Sequence, residues 1–433
     1  MNDVVSLKAR RDAALGAGAA LFYETPLHIV RGEGAYLFDA DGRRYVDMYN
    51  NVPCVGHANP RVAEAMGRQQ ATLNTHSRYL HVGVVEFAER LAALHGPQIQ
   101  SVVFSCSGTE ANEVALRMAR FATGRRGIVC TNATYHGNSE LVGALTHVGS
   151  RQPETDEVRA FPFPETYRPI KEGVGEPALC EAYLERLEDA ITRLEASGAG
   201  FAALIVCSIF ANEGLPNVPA GFMARAAELA RAHGGLVIAD EVQAGYGRTG
   251  RWWGYETAGF TPDIVVTGKP MGNGLPLAAT AASRALVETF RSKTRYFNTF
   301  ASSPLQAAVG MAVLDEIEGR GLRESVATVG ASLKAALTQR KGAWDAIGDV
   351  RGGGLFIGVE MVKPGPDKAP DAPLAIATAN RLKDKGFLTS NAGAYSNVVK
   401  VRPPLVFSSD DAAAFLEAFD ETVDELKAEP RRG

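Results

Sequence analysis

The chain has 433 residues, 46% of them hydrophobic and 22% charged, with 45 basic against 49 acidic side chains and a formal net charge of -4. A chain of this size buries a large core, and at roughly 150 residues per domain it divides into two large or three smaller units. The balance excludes the basic footprint of a nucleic-acid binder, and no apolar run reaches the roughly 20 residues that cross a bilayer.

Residues 1–11 are polar, without the apolar stretch of a signal peptide, and predict a cytoplasmic protein. Five cysteines, at 54, 106, 130, 180 and 207, show no CxxC spacing, so neither a disulfide framework nor a metal site is predicted. Residues 1–22 can form an amphipathic helix, and 28–50 read as a strand pair broken by an Asp-Ala-Asp-Gly turn. From about 60 to 310, short apolar runs alternate with helical periodicity. The runs are Val102–Phe104, Gly127–Cys130, Ala203–Val206, Leu236–Ala239 and Ile264–Val266, and Ala220–His233 has the length of a crossover helix. Continuous apolar strands separated by helices predict an α/β fold, with a mostly parallel central sheet and helices on both faces. The stretch 150–177, rich in Pro, Glu and Gly, reads as a surface excursion, and Lys363–Pro373 carries four prolines. Beyond 310 the pattern is helix, short strands near 350–361 and 397–402, and a last helix. The predicted division is a large domain over 60–310 and a smaller α+β domain built from 1–59 with 311–433.

Chemistry is concentrated at three strand ends. Ser105-Cys106-Ser107-Gly108-Thr109-Glu110 follows a strand and opens a helix, where free N–H groups and the dipole attract an anion. Alone, this is also an ordinary helix cap. Leu236–Ala239 runs into Asp240-Glu241-Val242-Gln243, at the edge where open α/β sheets place ligands. Ile264–Val266 runs into Thr267-Gly268-Lys269-Pro270, a lone lysine among glycines and a proline. A phosphate cradle, a carboxylate that can hold a proton on a ring nitrogen, and an amine that can form an imine are the parts that pyridoxal phosphate requires.

With these motifs the chain resembles the class III (ω-amino acid type) aminotransferases, fold-type I pyridoxal phosphate enzymes. The resemblance runs from Val55-Gly56-His57-Ala58-Asn59-Pro60 to Pro403-Pro404-Leu405. It is most specific in Ala239-Asp240-Glu241-Val242-Gln243-Ala244-Gly245-Tyr246-Gly247-Arg248-Thr249-Gly250 and in the 29-residue step from Asp240 to Lys269. It implies that Lys269 is the Schiff-base lysine and proton shuttle, and that Asp240 is the partner of the pyridinium nitrogen. Ser107, Gly108 and Thr109 match the phosphate cradle. Val242 would pack on one ring face and Tyr135 on the other, with His136 beside it, and Gln243 would meet the phenolic oxygen. Thr299 matches the threonine that reaches the phosphate of the neighbouring subunit, so a homodimer is implied, and pairing into tetramers is left open. For a substrate carboxylate the resemblance points to Arg402 ahead of Lys400, with Asn51 and Tyr79 in the pocket. Ser208 stands where many relatives carry Glu.

The implied activity is transfer of an amino group from an amine or amino acid to a keto acid (pyruvate, glyoxylate or 2-oxoglutarate) by a ping-pong cycle. The alternative is a phospho-lyase that eliminates phosphate and ammonia from a phosphorylated amino alcohol. A cofactor-sensing regulator is disfavoured, because no residues are spare for a DNA-binding module.

Overall fold

The computed structural model describes residues 4–147 and 154–428. Its centre is a seven-stranded sheet in the spatial order Ser101–Ser105, Ala278–Ala282, Ile264–Thr267, Leu236–Asp240, Phe201–Cys207, Gly127–Thr131, Val158–Phe161. Every neighbouring pair is parallel except the two made by Ala278–Ala282, which runs against both its neighbours. Alternation splits the apolar side chains between two faces. Ile205, Ile238 and Ile264 pack with the helix Gly108–Thr123. Leu204, Val206, Val237 and Val265 pack with Glu176–Ala196 and Phe222–Ala232. The sheet is thus a buried layer between helices, as the unbroken apolar runs predict.

Two strands of this sheet do not stand out in the sequence. Val158–Phe161 lies inside the stretch read as a surface excursion, yet it pairs with Gly127–Thr131 at the sheet edge; residues 150–153 of that stretch lie outside the described residues. Ala278–Ala282 is four alanines and a threonine, a composition that favours helix. All five of its residues are buried, and between two strands with a helix close overhead only small side chains fit.

Two four-stranded sheets are built from the chain's ends. One orders Ile29–Glu33, Tyr36–Asp39, Arg44–Asp47 and Phe387–Leu388, so the predicted strand pair is three strands, joined by a fourth from the far end of the chain. The other orders Ile347–Gly353, Phe356–Met361, Val398–Val401 and Ser390–Ala392, antiparallel throughout. The N-terminal helix spans only Val4–Leu15, and none of its residues is buried. The expected amphipathic helix over 1–22 is therefore corrected to a short surface helix, because no apolar stripe faces the core.

Candidate active site

The carboxyl ends of the parallel strands converge on a pocket of about 310 Å³. Ser107, Gly108, Thr109, Tyr135, His136, Asp240, Val242, Gln243 and Lys269 all line it. Of these, residues up to 162 positions apart in sequence, Ser107 and Lys269, meet there, because parallel strands deliver their ends to one sheet edge.

The helix Gly108–Thr123 aims its start at this pocket. Ser107 caps it, its hydroxyl accepting from Glu110 N at 3.2 Å, while the Glu110 carboxylate accepts from Cys106 N at 2.7 Å. Such a cap contributes about 1 kcal/mol and leaves the first-turn N–H groups facing the cavity. Gly108 is required by contact: a Cβ there would lie 3.0 Å from Val242 Cγ1. Gly137 is more constrained still. Its φ is +145°, and a Cβ would come within 2.5 Å of Thr109 Oγ1.

Asp240 is buried and fully engaged. Its Oδ2 accepts from Asn112 Nδ2 at 3.0 Å and from His136 Nδ1 at 2.7 Å, and Oδ1 accepts from Val242 N at 3.0 Å. A carboxylate oxygen can only accept, so His136 carries a proton on Nδ1. Glu241, its neighbour in the sequence, points the other way. It accepts from Gly254 N, Tyr255 N and the Ser208 hydroxyl, and burial pushes its carboxyl up to about 7. One of the two acids therefore serves the pocket and the other pins the helix Gly254–Ala258. Ser208 is spent on that contact and borders a second cavity, about 400 Å³, with no charged lining residue.

Lys269 opens a short 3-10 turn at φ +22°, a conformation disfavoured for a residue with a Cβ and frequent at functional sites. The loop is held from outside: Asn273 Nδ2 donates to Gly56 O at 2.9 Å, and its Oδ1 accepts from Val55 N at 3.0 Å. Burial pushes the Lys269 amine below the ordinary lysine value; Asp240 opposes this and Arg402 adds to it. A larger neutral fraction is what a nucleophilic or proton-transferring amine needs.

Beyond Gln243 lies a buried basic patch. Gln243 Nε2 donates to Asn212 Oδ1 at 3.1 Å, and its Oε1 accepts from Arg402 Nη1. Arg402 Nε donates to Tyr49 O at 2.9 Å. Arg402 and Lys400 are 4% and 6% exposed, and both cations sit over the rings of Tyr49 and Phe356, at 5.1 to 5.8 Å from the centroids. No carboxylate among the described residues forms an ion pair with either. Burial, then Arg402 and Lys269, hold the Lys400 amine well below its ordinary value.

Four predicted residues do not line the pocket in this chain: Arg402, which meets it only through Gln243, and Asn51, Tyr79 and Thr299. Asn51 is buried, but its amide donates to Gln243 O at 3.2 Å and its Oδ1 accepts from Arg248 Nε at 3.0 Å. Its side chain thus supports the pocket floor from behind. Tyr79 is exposed and stacks on His76 at 5.3 Å. Thr299 is exposed in the turn beside Asn298, whose Nδ2 donates to Glu110 at 3.4 Å. Two residues that matter escaped the sequence reading. Asn112 stands four residues past Gly108, one turn into the helix and on the face toward Asp240, and that helical spacing was the available signal. Asn212 lies in the segment after Phe201–Cys207, one of the strand ends that feed the site.

A family model described as Aminotransferase class-III matches residues 20–423. The chain belongs to the class III aminotransferases. Among its relatives in this family is a Drosophila melanogaster protein named alanine–glyoxylate aminotransferase 2-like, 36% identical over 421 residues, 95% of this chain and 85% of that one. Among solved structures, a phospholyase from Arthrobacter in complex with phosphoethanolamine superposes with a TM-score of 0.93 at 38% identity, covering 98% of this chain and 100% of that one. The omega transaminase from Pseudomonas jessenii in complex with PMP superposes with a TM-score of 0.87 at 26% identity, covering 96% of this chain and 94% of that one.

As a class III aminotransferase the chain is a pyridoxal phosphate-dependent enzyme with the fold-type I architecture, and its pocket fits that cofactor. The glycine cradle at a helix start suits the phosphate, and the fixed carboxylate of Asp240 suits a protonated ring nitrogen. Gly137→Ala is expected to weaken cofactor binding at least about tenfold, because added strain and the Thr109 contact displace the Tyr135–Gly137 turn. Titrating the purified variant with pyridoxal phosphate and following absorbance measures this; unchanged affinity would show that the turn is free to move.

Proposed function

We propose that this enzyme moves an amino group from a small amine or amino acid to a keto acid such as pyruvate, glyoxylate or 2-oxoglutarate, in a ping-pong cycle. The observation that carries this reading is Arg402, a buried guanidinium with no carboxylate partner among the described residues, one hydrogen bond from the pocket-lining Gln243. A keto acid's carboxylate supplies the missing counter-charge, and a guanidinium can take it bidentately. Pyridoxal phosphate, when bound, supplies an aldehyde that joins an amine and a ring that accepts the electron pair left when a carbon loses its proton. Lys269 Nζ is the group that would take and hold that proton. Asp240 keeps the opposite end of the pocket negative, while the first turn of Gly108–Thr123 orients the phosphate.

A second reading is favoured by Lys400. Beside Arg402 it is a second buried basic group where one carboxylate needs only one, and a substrate phosphate is a dianion. On this reading the enzyme releases phosphate and ammonia from a phosphorylated amino alcohol, as the name of its Arthrobacter neighbour suggests. Burial and the neighbouring cations hold Lys400 below its ordinary value in the free protein, and a bound dianion opposes them, so binding is expected to draw in protons and to weaken as pH rises. Calorimetry of phosphoethanolamine binding in two buffers of different ionisation heat reads the uptake. Lys400→Met should raise KM for the phosphorylated amine about ten- to a hundredfold relative to an unphosphorylated one.

The experiment that decides between the readings incubates the purified enzyme with phosphoethanolamine, or with amine and keto acid, and assays amino acid, ammonia and phosphate together. A new amino acid matching the keto acid consumed, without phosphate, establishes transfer. Equimolar ammonia and phosphate, formed without a keto acid, establishes elimination and overturns the first reading. We further propose a cytoplasmic homodimer. Tyr79, Leu80, Val82 and Phe300 are exposed apolar side chains, and Phe297 packs against His76 beside them, so this surface with Thr299 suits a second copy.

A further inference from the structure

A line of buried polar groups runs from Asp240 into the protein. His136 Nδ1 donates to Asp240 Oδ2 at 2.7 Å, and His136 Nε2 lies 3.0 Å from Thr134 Oγ1. The Glu213 carboxyl lies against the Thr134 hydroxyl. Its Oε1 accepts from Thr131 Oγ1, and its Oε2, though buried, has no hydrogen-bond partner. Glu213 is 3% exposed, and no cation among the described residues forms an ion pair with it.

We propose that Glu213 is a positioning residue for the reaction: through Thr134 it fixes the neutral, Nδ1-protonated form of His136, so that Asp240 faces the pocket with its full negative charge. This rests on the reading of Asp240 as the partner of the cofactor's ring nitrogen.

The argument is one of donors and acceptors. A buried carboxylate without a counter-cation is costly, so Glu213 is held as the neutral acid. Burial acts in that direction, pushing its carboxyl above the ordinary range, with Thr131 opposing. Oε1 already accepts from Thr131, so the proton belongs on Oε2. In the proposed state every bond points one way: the proton on Oε2 turns to the Thr134 hydroxyl beside the carboxyl, that hydroxyl donates to His136 Nε2, and Nδ1–H donates to Asp240. The reverse state needs Glu213 ionised and both threonine hydroxyls turned toward it. His136 Nε2 would then require a proton of its own, and an imidazolium beside Asp240 would offset its charge. The other titratable groups nearby are Cys130 and Cys207 against Glu213, whose thiols burial pushes up, and Lys269 and Glu241 against Asp240.

The test is nitrogen NMR of histidine-labelled holoenzyme, with the His136 signals assigned among the eight histidines by a His136→Gln variant. The wild type should show Nδ1 protonated and Nε2 bare across the pH range in which it stays folded. Glu213→Gln, whose amide donates as the acid does, should keep that pattern. Glu213→Leu frees the Thr134 hydroxyl to accept, so His136 should titrate near neutral pH. The absorbance of the bound cofactor should shift over the same range, and kcat should fall about tenfold with KM unchanged. An imidazolium in the wild type at neutral pH overturns the proposal. So does a Glu213→Gln variant that titrates, or a folded Glu213→Leu variant whose His136 does not. Failure of the parent reading looks different: Asp240→Asn would then leave the cofactor's absorbance unchanged.

Discussion

Lys269→Ala is expected to lower kcat about ten-thousandfold or more, leaving a folded protein that still binds pyridoxal phosphate. Among the described residues Lys269 is the only amine lining the pocket, and burial lowers it, while Asp240 opposes and Arg402 reinforces. Lys400 is close enough to act on Lys269 electrostatically, but its amine sits over Tyr49 and Phe356 and outside the pocket lining, so it cannot take over. The phosphate cradle does not involve Lys269, so binding should weaken without vanishing. Single-turnover kinetics on the loaded variant measures the loss. Because truncation leaves room at the pocket floor, a small amine such as methylamine, added at high concentration, should restore part of the rate. A variant within about a hundredfold of wild type would assign the proton transfer to another group.

Asp240→Asn is expected to cost about a thousandfold in kcat, by removing a fixed negative charge where positive charge must be held on the cofactor ring. The substitution also breaks local pairing. Oδ2 receives Asn112 Nδ2 and His136 Nδ1, both donors, and an amide nitrogen placed there would face two donors with a third. Turning the amide to present its oxygen instead leaves its nitrogen facing Val242 N, another donor. One clash remains in either orientation, so about 1 to 3 kcal/mol of stability should be lost as well. Denaturant unfolding of the cofactor-free variant separates that cost from the kinetic one. A variant that loses stability but keeps kcat within tenfold would reduce Asp240 to a structural carboxylate.

The two substitutions probe features that differ in how openly the sequence displays them. Lys269, Asp240 and the Ser107–Thr109 turn were legible because each is local: an apolar run followed at once by the residue that the strand end presents. What Asp240 and Glu241 do could not be separated on that basis. Adjacent residues leaving a strand point to opposite sides, and only the packing of Gly254–Ala258 and Asn112 shows which side holds the pocket. Arg402 was legible as a cation near a turn, while its pairing with Lys400 over Tyr49 and Phe356 required strands from both ends of the chain.

The chain's apolar periodicity, with its glycines and caps, determined by itself the layered α/β core and the site's three strand-end motifs, since those depend on neighbours a few residues apart. Tertiary structure alone decided the rest. Ala278–Ala282 is a strand because it is buried and paired on both sides, whatever alanine prefers in isolation. Asn51 became a support because its amide finds Arg248 and the Gln243 backbone before it can reach the cavity. Glu213 gained its place beside Thr134 because a turn after one strand packs against a turn after another. Contacts between distant segments carry no periodicity along the chain, and the hydrogen-bond partners of a buried polar group are set only when those segments meet.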